Sequence, residues 1–215
     1  MKEEQTLLSV SDLTKDFGGI RAVDSFSFDV REGSITGIIG PNGAGKTTVF
    51  NLVTGLYKPT SGTIRFRGEE IGGSRPDTIV RHGIARTFQN IRLFNRRTCL
   101  ENVLTPLLQR ERCSFLGAML GLPSVRRMER ALHDKAHSLL AALGLDAYAS
   151  FEASTLPYGL QRKLEIARAL ATEPSLLLLD EPAAGMNPEE THSHANLIAE
   201  VREKFDATIL LIEHH

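Results

Sequence analysis

One eight-residue segment limits what this chain can fold into more than any other feature of the sequence. It reads Gly40-Pro-Asn-Gly-Ala-Gly-Lys-Thr47, which matches the pattern G-x-x-x-x-G-K-[ST], in which glycines let the backbone fold around an anion. An apolar run, Ile35–Ile39, precedes the segment, and a helical pattern, Thr47–Thr54, follows it. This order of strand, loop and helix predicts an α/β fold with a phosphate site at the start of the helix.

The residue types of this loop suit a nucleotide with its metal ion. Lys46 is expected to lie against the β- and γ-phosphates, and the hydroxyl of Thr47 to complete the ligand sphere of Mg²⁺. The alternative is a glycine-rich turn with an exposed lysine. It does not explain why all eight positions fit the phosphate-loop pattern between a predicted strand and a predicted helix. We therefore assign the loop and the residue after it to nucleotide binding: Gly40, Pro41, Asn42, Gly43, Ala44, Gly45, Lys46, Thr47 and Thr48.

Two carboxylates, Asp180 and Glu181, directly follow the four leucines Leu176–Leu179. Both should emerge at the carboxyl end of a buried strand, where open α/β sheets bind ligands. Asp180 can hold Mg²⁺ through water, and Glu181 can orient and deprotonate an attacking water. The alternative is a strand end with solvated acids. The upstream phosphate loop favours a hydrolytic site.

Composition narrows the class of protein further. The chain has 215 residues, 41% of them hydrophobic, and a net charge of −1, which suits one globular domain and argues against binding nucleic acid by bulk charge. Its two cysteines, Cys99 and Cys113, suggest neither a zinc site nor a disulfide framework, and a reducing cytosol fits. The start of the chain lacks a secretory signal, and the apolar run Phe115–Leu122 is too short to cross a bilayer.

The periodicity of the sequence predicts a strand-rich first third, a helical middle third, and alternating strands and helices in the last third. Continuous apolar strands between helices indicate a parallel sheet covered on both faces. Strands are predicted at Leu7–Val10, Phe26–Val30, Ile35–Ile39, Thr63–Phe66, Leu176–Leu179 and Thr208–Ile212. Helices are predicted at Pro76–His82, Leu100–Leu108, Val125–Leu143, Gly159–Ala171 and Pro188–Phe205.

Further residues lie in a diagnostic order around the two sites. Gln89 ends Arg-Thr-Phe-Gln, the segment Leu156–Arg162 precedes the leucine strand, and His214 follows the last strand. With these, the chain resembles the ATP-binding subunits of ABC transporters. The resemblance makes Gln89 the glutamine that touches Mg²⁺ and the attacking water, and His214 the switch histidine that contacts the γ-phosphate. Phe17 stands in the place of the aromatic residue that stacks on adenine.

The resemblance implies a complete architecture and set of roles. The fold would be a P-loop ATPase with a mainly parallel core sheet, an N-terminal antiparallel β lobe and an inserted helical lobe. The single domain would span 1–215, with the core and β lobe at about 1–89 and 155–215 and the helical lobe at about 90–154. The implied catalytic residues are Glu181, His214 and Gln89, and the implied metal ligands are Thr47, Gln89 and Asp180.

The segment Leu156–Arg162 departs from the family's Leu-Ser-Gly-Gly-Gln signature, with Pro157 for Ser, Tyr158 for the first Gly and Leu160 for Gln. In the family, ATP is sandwiched between the phosphate loop of one subunit and the signature of another. The lost hydroxyl should weaken that contact. Tyr158 and Gly159 are nevertheless expected to contact nucleotide, because the helix start still offers backbone N–H groups. Tyr-Gly at this place is typical of one subfamily.

That subfamily is the LivG-type ATPases of branched-chain amino-acid importers, which the segments 86–94 and 181–191 also resemble. The resemblance implies a second ATPase subunit, identical or distinct, two membrane permeases, and indirectly a periplasmic or extracellular binding protein. It places the chain at the cytoplasmic face of the membrane, with no nucleic-acid partner. The basic segment 92–97 and the following Cys99–Leu108 are expected to receive the permease's coupling helix, the alternative being a solvated basic face. Since family members continue past the switch histidine, we expect the C-terminus to be truncated.

Three other functions stay open at this stage. The cargo could differ, for example urea or lipopolysaccharide, because other subunits choose it. A soluble ABC ATPase acting on DNA or ribosomes should show a coiled-coil insertion, zinc cysteines or two cassettes, none of which the sequence contains. The altered signature also leaves room for a regulatory partner that binds nucleotide without hydrolysing it.

Overall fold

The computed structural model describes residues 5–110 and 123–213. The chain forms two compact units, one made of Met1–Gln89 and Pro174–His215 and the other of Asn90–Glu173. In chain order the elements are β1 (Thr6–Phe17), β2 (Ile20–Arg31), β3 (Ile35–Ile39), α1 (Lys46–Val53), β4 (Ser61–Phe66), β5 (Glu69–Glu70), α2 (Pro76–Arg81), β6 (Ile84–Arg86), α3 (Cys99–Arg110), α4 (Pro123–Ala142), α5 (Tyr158–Leu170), β7 (Leu176–Asp180), α6 (Pro188–Lys204) and β8 (Thr208–Glu213).

The predicted strands and helices are therefore present, while β5 and β6 are additional. The first two strands are much longer than predicted and pair as a hairpin, in which Phe17 lies opposite Ile20. Gly18 and Gly19 close the hairpin with φ angles of 51° and 97°, a left-handed pair typical of two-residue turns between twisted strands. The antiparallel sheet of the first unit has the order β2-β1-β4-β5.

The second sheet of this unit is parallel, with the order β3-β8-β7-β6. All five residues of β7 are buried, which confirms the continuous apolar pattern. The expected cover on both faces fails at β3, because this strand is at the edge of the sheet and Ile35 and Ile39 are 44% and 67% exposed. Parallel pairing brings the carboxyl ends of all four strands to one edge, where sheets of this kind bind ligands.

One hydrophobic core joins both sheets of the first unit. Helix α1 buries Val49, Phe50, Leu52 and Val53 in it, together with residues from β1, β4, β7 and β8. The helix that follows the phosphate loop is therefore fixed by its apolar face rather than by its eight-residue length, since a helix this short is unstable in isolation.

The second unit is helical. Helix α4 buries Leu132, Ala136, Leu139 and Leu140 on one side, as its periodicity predicts. The unit extends to Glu173, whereas the sequence predicts a helical lobe that ends at about residue 154. Helix α5 accounts for the difference, because it packs against α3 and α4. Within the described ranges, the structure shows no helix both long and apolar enough to cross a membrane.

Helix α6 begins with a reciprocal cap, which gives a first prediction. The side chain of Asn187 accepts a hydrogen bond from the Glu190 N–H at 2.9 Å, and the Glu190 carboxylate accepts one from the Asn187 N–H at 2.9 Å. Asn187→Ala should lower the free energy of unfolding by about 1 kcal/mol, because the Glu190 N–H loses its side-chain partner. Urea unfolding measures this. Asn196→Ala, at an exposed position within the same helix, is the control, and equal losses in both variants would contradict the prediction.

Candidate active site

The phosphate loop connects β3 to α1 by a left-handed turn. Gly43 and Gly45 have φ angles of 81° and 84°, and Gly45 directly precedes the first helical residue, Lys46. The Lys46 side chain is buried, and its ammonium donates to the carbonyl oxygens of Gly40 at 2.6 Å and Pro41 at 2.9 Å. The structure thus places a positive charge inside the loop, where the sequence predicts a phosphate.

The start of α1 adds further anion-binding character. The first turn of the helix contains no acidic residue, so nothing in it opposes the partial positive charge of the helix start. Asn42, Ala44 and Thr47 are exposed and Thr48 is half-buried, which leaves the outer side of the loop accessible. This arrangement can bind the phosphates of a nucleotide through backbone N–H groups, with the Thr47 hydroxyl at the entrance.

Phe17 belongs to the hairpin that lies beside this loop. A Cβ atom on Gly45 would lie 2.3 Å from the carbonyl oxygen of Ala22, so the hairpin contacts the loop directly. The Phe17 ring is 40% exposed, meets Tyr57 edge to face at 5.1 Å, and has the Lys15 ammonium 5.0 Å from its centroid. A partly exposed ring held by two neighbours is a suitable platform for an aromatic base.

The two predicted acids lie where β7 ends. Asp180 is its last residue and 2% exposed, and the next residue, Glu181, is 7% exposed. Glu181 adopts a φ of 49°, unusual for a residue with a side chain, and its N–H donates to the Ile212 carbonyl of β8 at 3.2 Å. The Gln89 amide donates to the Glu181 carboxylate at 2.7 Å. The structure therefore brings together the two residues predicted to contact the attacking water.

A magnesium ion fits the oxygen groups of this unit. Asp180 Oδ2 is held by Arg86, whereas Asp180 Oδ1 is buried and accepts no hydrogen bond from any described residue. A buried carboxylate oxygen without a partner is rare and indicates a ligand. Together with the Thr47 hydroxyl and the Gln89 side-chain carbonyl, it forms a set of hard oxygen donors, which Mg²⁺ prefers.

Arg86 is the important site residue that the sequence analysis assigned no role. It lies at the end of β6, next to β7, and its guanidinium bonds to both Asp180 and Asn51 at 2.6 Å. One signal in the sequence points to it. Arg86 follows the apolar pair Ile84-Ala85. If these three residues form a buried strand, the charge of Arg86 is buried as well and needs a partner of opposite charge.

Tyr158 and Gly159 lie in the other unit, at the start of α5. The Tyr158 hydroxyl accepts from Arg162 Nη2 at 2.9 Å and Nε at 3.2 Å, and Arg162 in turn pairs with Glu165 at 3.3 Å. Burial lowers the pKa of the nearby Arg168, and Glu165 partly offsets this shift. At Gly159 an added Cβ would meet no atom within 4 Å, so this part of the helix start is open.

Two predicted features remain, the switch histidine and the basic segment. His214 lies outside the described residues. The basic segment 92–97 is held by the buried Asn102, whose side chain bonds to Phe94, Arg97 and Thr98. Arg92, Arg96 and Arg97 are exposed, which leaves their charges accessible to a partner, and docking of a permease here stays a prediction.

Comparison with known proteins decides the family. Residues 23–184, more than half of the chain, match the family model described as ABC transporter. The chain belongs to this family. This ABC transporter ATPase is 48% identical over 210 residues to the high-affinity branched-chain amino acid transport ATP-binding protein LivG of Salmonella typhimurium, covering 98% of this chain and 82% of that protein. BraF of Pseudomonas aeruginosa, which carries the same description, is 48% identical over 208 residues, covering 97% and 82%.

Solved structures support the same assignment. The ABC transporter ATPase superposes with a TM-score of 0.84 on the ADP conformation of an ATP-binding cassette of an ABC transporter, at 34% identity and covering 98% of this chain and 82% of that one. A dimeric cassette in a post-hydrolysis state, bound to ADP and Pi, gives a TM-score of 0.78 at 25% identity, covering 97% and 88%. These similarities confirm the P-loop ABC fold expected from the sequence.

Proposed function

We propose that this ABC ATPase binds ATP with Mg²⁺ and hydrolyses it as the motor subunit of an importer for branched-chain amino acids. The observation that carries the proposal is the carboxylate of Glu181, held by the Gln89 amide at 2.7 Å directly after Asp180. In this proposal Glu181 is the base, Gln89 contacts the attacking water and Asp180 binds the metal, and all three belong to the unit that also contains the phosphate loop.

The chemistry follows from these groups. The loop N–H groups and Lys46 bind the β- and γ-phosphates, while Thr47, Asp180 and Gln89 hold the metal. When bound, Mg²⁺ neutralises phosphate charge. The oxygen of the attacking water bonds to the γ-phosphorus while Glu181 takes a proton from that water. The bond between the γ-phosphorus and the bridging oxygen breaks, and this oxygen stays on ADP. Adenine stacks on Phe17, and His214 contacts the γ-phosphate.

The subunit is proposed to work in a pair. Tyr158 and Gly159 would contact the ATP bound to a second ATPase subunit, whose own signature would contact the ATP bound here. The dimeric relative with ADP and Pi supports this arrangement. The pair would attach to two permeases at the cytoplasmic face of the membrane, and through them act with a substrate-binding protein outside it. Both LivG and BraF are described as branched-chain amino acid transport proteins, which supports the cargo.

Transport in cells tests the proposal. Expressed in a bacterium that lacks its own LivG protein, the chain should restore uptake of radiolabelled leucine, and Lys46→Ala should reduce this uptake to background. The loss follows because the ammonium inside the phosphate loop is the charge that binds the β- and γ-phosphates. The control is Lys204→Ala, since Lys204 is an exposed lysine of α6 that pairs with Glu200 on the same helix. If the expressed chain leaves leucine uptake at background but restores urea uptake in a strain that lacks the ATPase of a urea transporter, the cargo assignment is wrong.

A further inference from the structure

The side chain of Arg86 is almost fully enclosed, 6% exposed, and it contacts both motifs of the proposed ATP site. Its Nη2 bonds to Asp180 Oδ2 at 2.6 Å and its Nη1 to Asn51 Oδ1 at 2.6 Å. The guanidinium also lies against the rings of Phe50 and Phe88, at 5.4 and 5.1 Å from their centroids. One planar cation thus connects β7 to helix α1, which carries Thr47.

This arrangement is not explained by stability alone. Burying an ion pair costs about as much desolvation free energy as the attraction between its charges gains. A buried pair is therefore weak evidence that its residues serve stability. The pair also leaves Asp180 Oδ1 without a partner among the described residues. A purely structural pair would be expected to use that oxygen too, because a buried acceptor left unbonded costs free energy.

We propose that Arg86 is a positioning residue for magnesium. It holds Asp180 by Oδ2, so that Oδ1 faces the ion's water shell, and through Asn51 it fixes this carboxylate relative to the helix that carries Thr47. This inference rests on the proposed function, because it needs Mg²⁺ at the site. The guanidinium is suited to the task, because its planar fork holds two partners in a fixed geometry, whereas the three donors of a lysine ammonium rotate.

The test compares nucleotide binding with and without metal in the full chain. A fluorescent ATP analogue is titrated once with excess Mg²⁺ and once with EDTA, and the ratio of the two dissociation constants gives the magnesium enhancement. Arg86→Met should lower this enhancement about 10-fold, the usual effect of losing a group that orients a metal ligand. A merely structural role would weaken binding equally in both titrations and leave the ratio unchanged.

Two further variants sharpen the comparison. Arg168→Met removes a half-buried arginine of the other unit, whose guanidinium lies 5.6 Å from the centroid of the Phe94 ring. It should keep the magnesium enhancement of the unmutated chain. Should Arg86→Met fail to fold, Arg86→Lys replaces it, and its enhancement should also fall, because lysine keeps the charge without holding Asp180 and Asn51 together.

Each outcome separates the inference from the function on which it rests. An unchanged enhancement in the folded Arg86 variant overturns the positioning role while leaving the magnesium site intact. An increased enhancement also overturns it, because Arg86 would then oppose the ion by its charge. A ratio near one in the unmutated chain overturns the magnesium assignment, and the inference with it.

Discussion

Glu181→Gln is expected to lower the rate of ATP hydrolysis by a factor of about 10² to 10⁴, the contribution of a general base, while ATP affinity stays about the same. The substitution keeps the size of the side chain and an oxygen that can accept the hydrogen bond from Gln89. It removes the negative charge of the carboxylate, and with it the ability to take a proton from the attacking water. Phosphate release and nucleotide binding, measured on the same preparation, check both parts of this prediction.

The control for charge is Glu203→Gln, which neutralises an exposed acid on α6 of the same unit and should leave turnover unchanged. Hydrolysis at the unmutated rate in Glu181→Gln would show that Glu181 is not the base.

Light scattering on this variant measures whether the chain is a monomer or a dimer, with and without ATP. A dimer that forms only with ATP would show that the clamp closes despite Pro157, whereas a monomer that still binds ATP would mean that closure needs a distinct second ATPase.

The parts of the site that the sequence predicts are those fixed by local rules. The segment 40–47 could be placed because its glycines, a preceding apolar run and a following helical pattern are all visible in neighbouring residues. The position of Asp180 follows from the same reasoning, since four leucines define a buried strand and the acid must emerge at its end. Both predictions of position agree with the structure.

Arg86 could not be placed in this way. Its strand has only three residues, too few to show an alternation, and its partner Asp180 is 94 residues further along the chain. Pairing over such a distance depends on the order of strands in the sheet, which the local pattern does not contain. The contact between Tyr158 and Arg162 is the opposite case. The two residues are four apart on α5, a spacing at which side chains on a helix meet, so this contact depends on local geometry alone.

The second unit shows a similar limit. The sequence indicates that α5 is a helix, but not which unit it packs against, because its buried residues run along most of its length. The boundary expected at residue 154 therefore lies at Glu173. The roles assigned to Gln89, Glu181, Tyr158 and His214 stay predictions, since they concern chemistry rather than position.

Gly45→Ala should have the largest effect on stability of any substitution in the phosphate loop. Its φ of 84° would cost a residue with a side chain about 1 to 2 kcal/mol. The added Cβ would also lie 2.3 Å from the Ala22 carbonyl oxygen, and relieving such a contact costs about 1 to 3 kcal/mol more. Urea unfolding should therefore show a loss of about 3 kcal/mol in the free energy of unfolding.

Gly43→Ala separates these two causes. Gly43 has nearly the same φ, 81°, but no atom within 4 Å of an added Cβ, so only the backbone cost of about 1 to 2 kcal/mol applies. Equal losses in the two variants would show that the hairpin does not restrain the loop. If the losses differ as expected, Gly45→Ala should also weaken ATP binding more than Gly43→Ala, because the hairpin displaced from Gly45 is the one that carries Phe17.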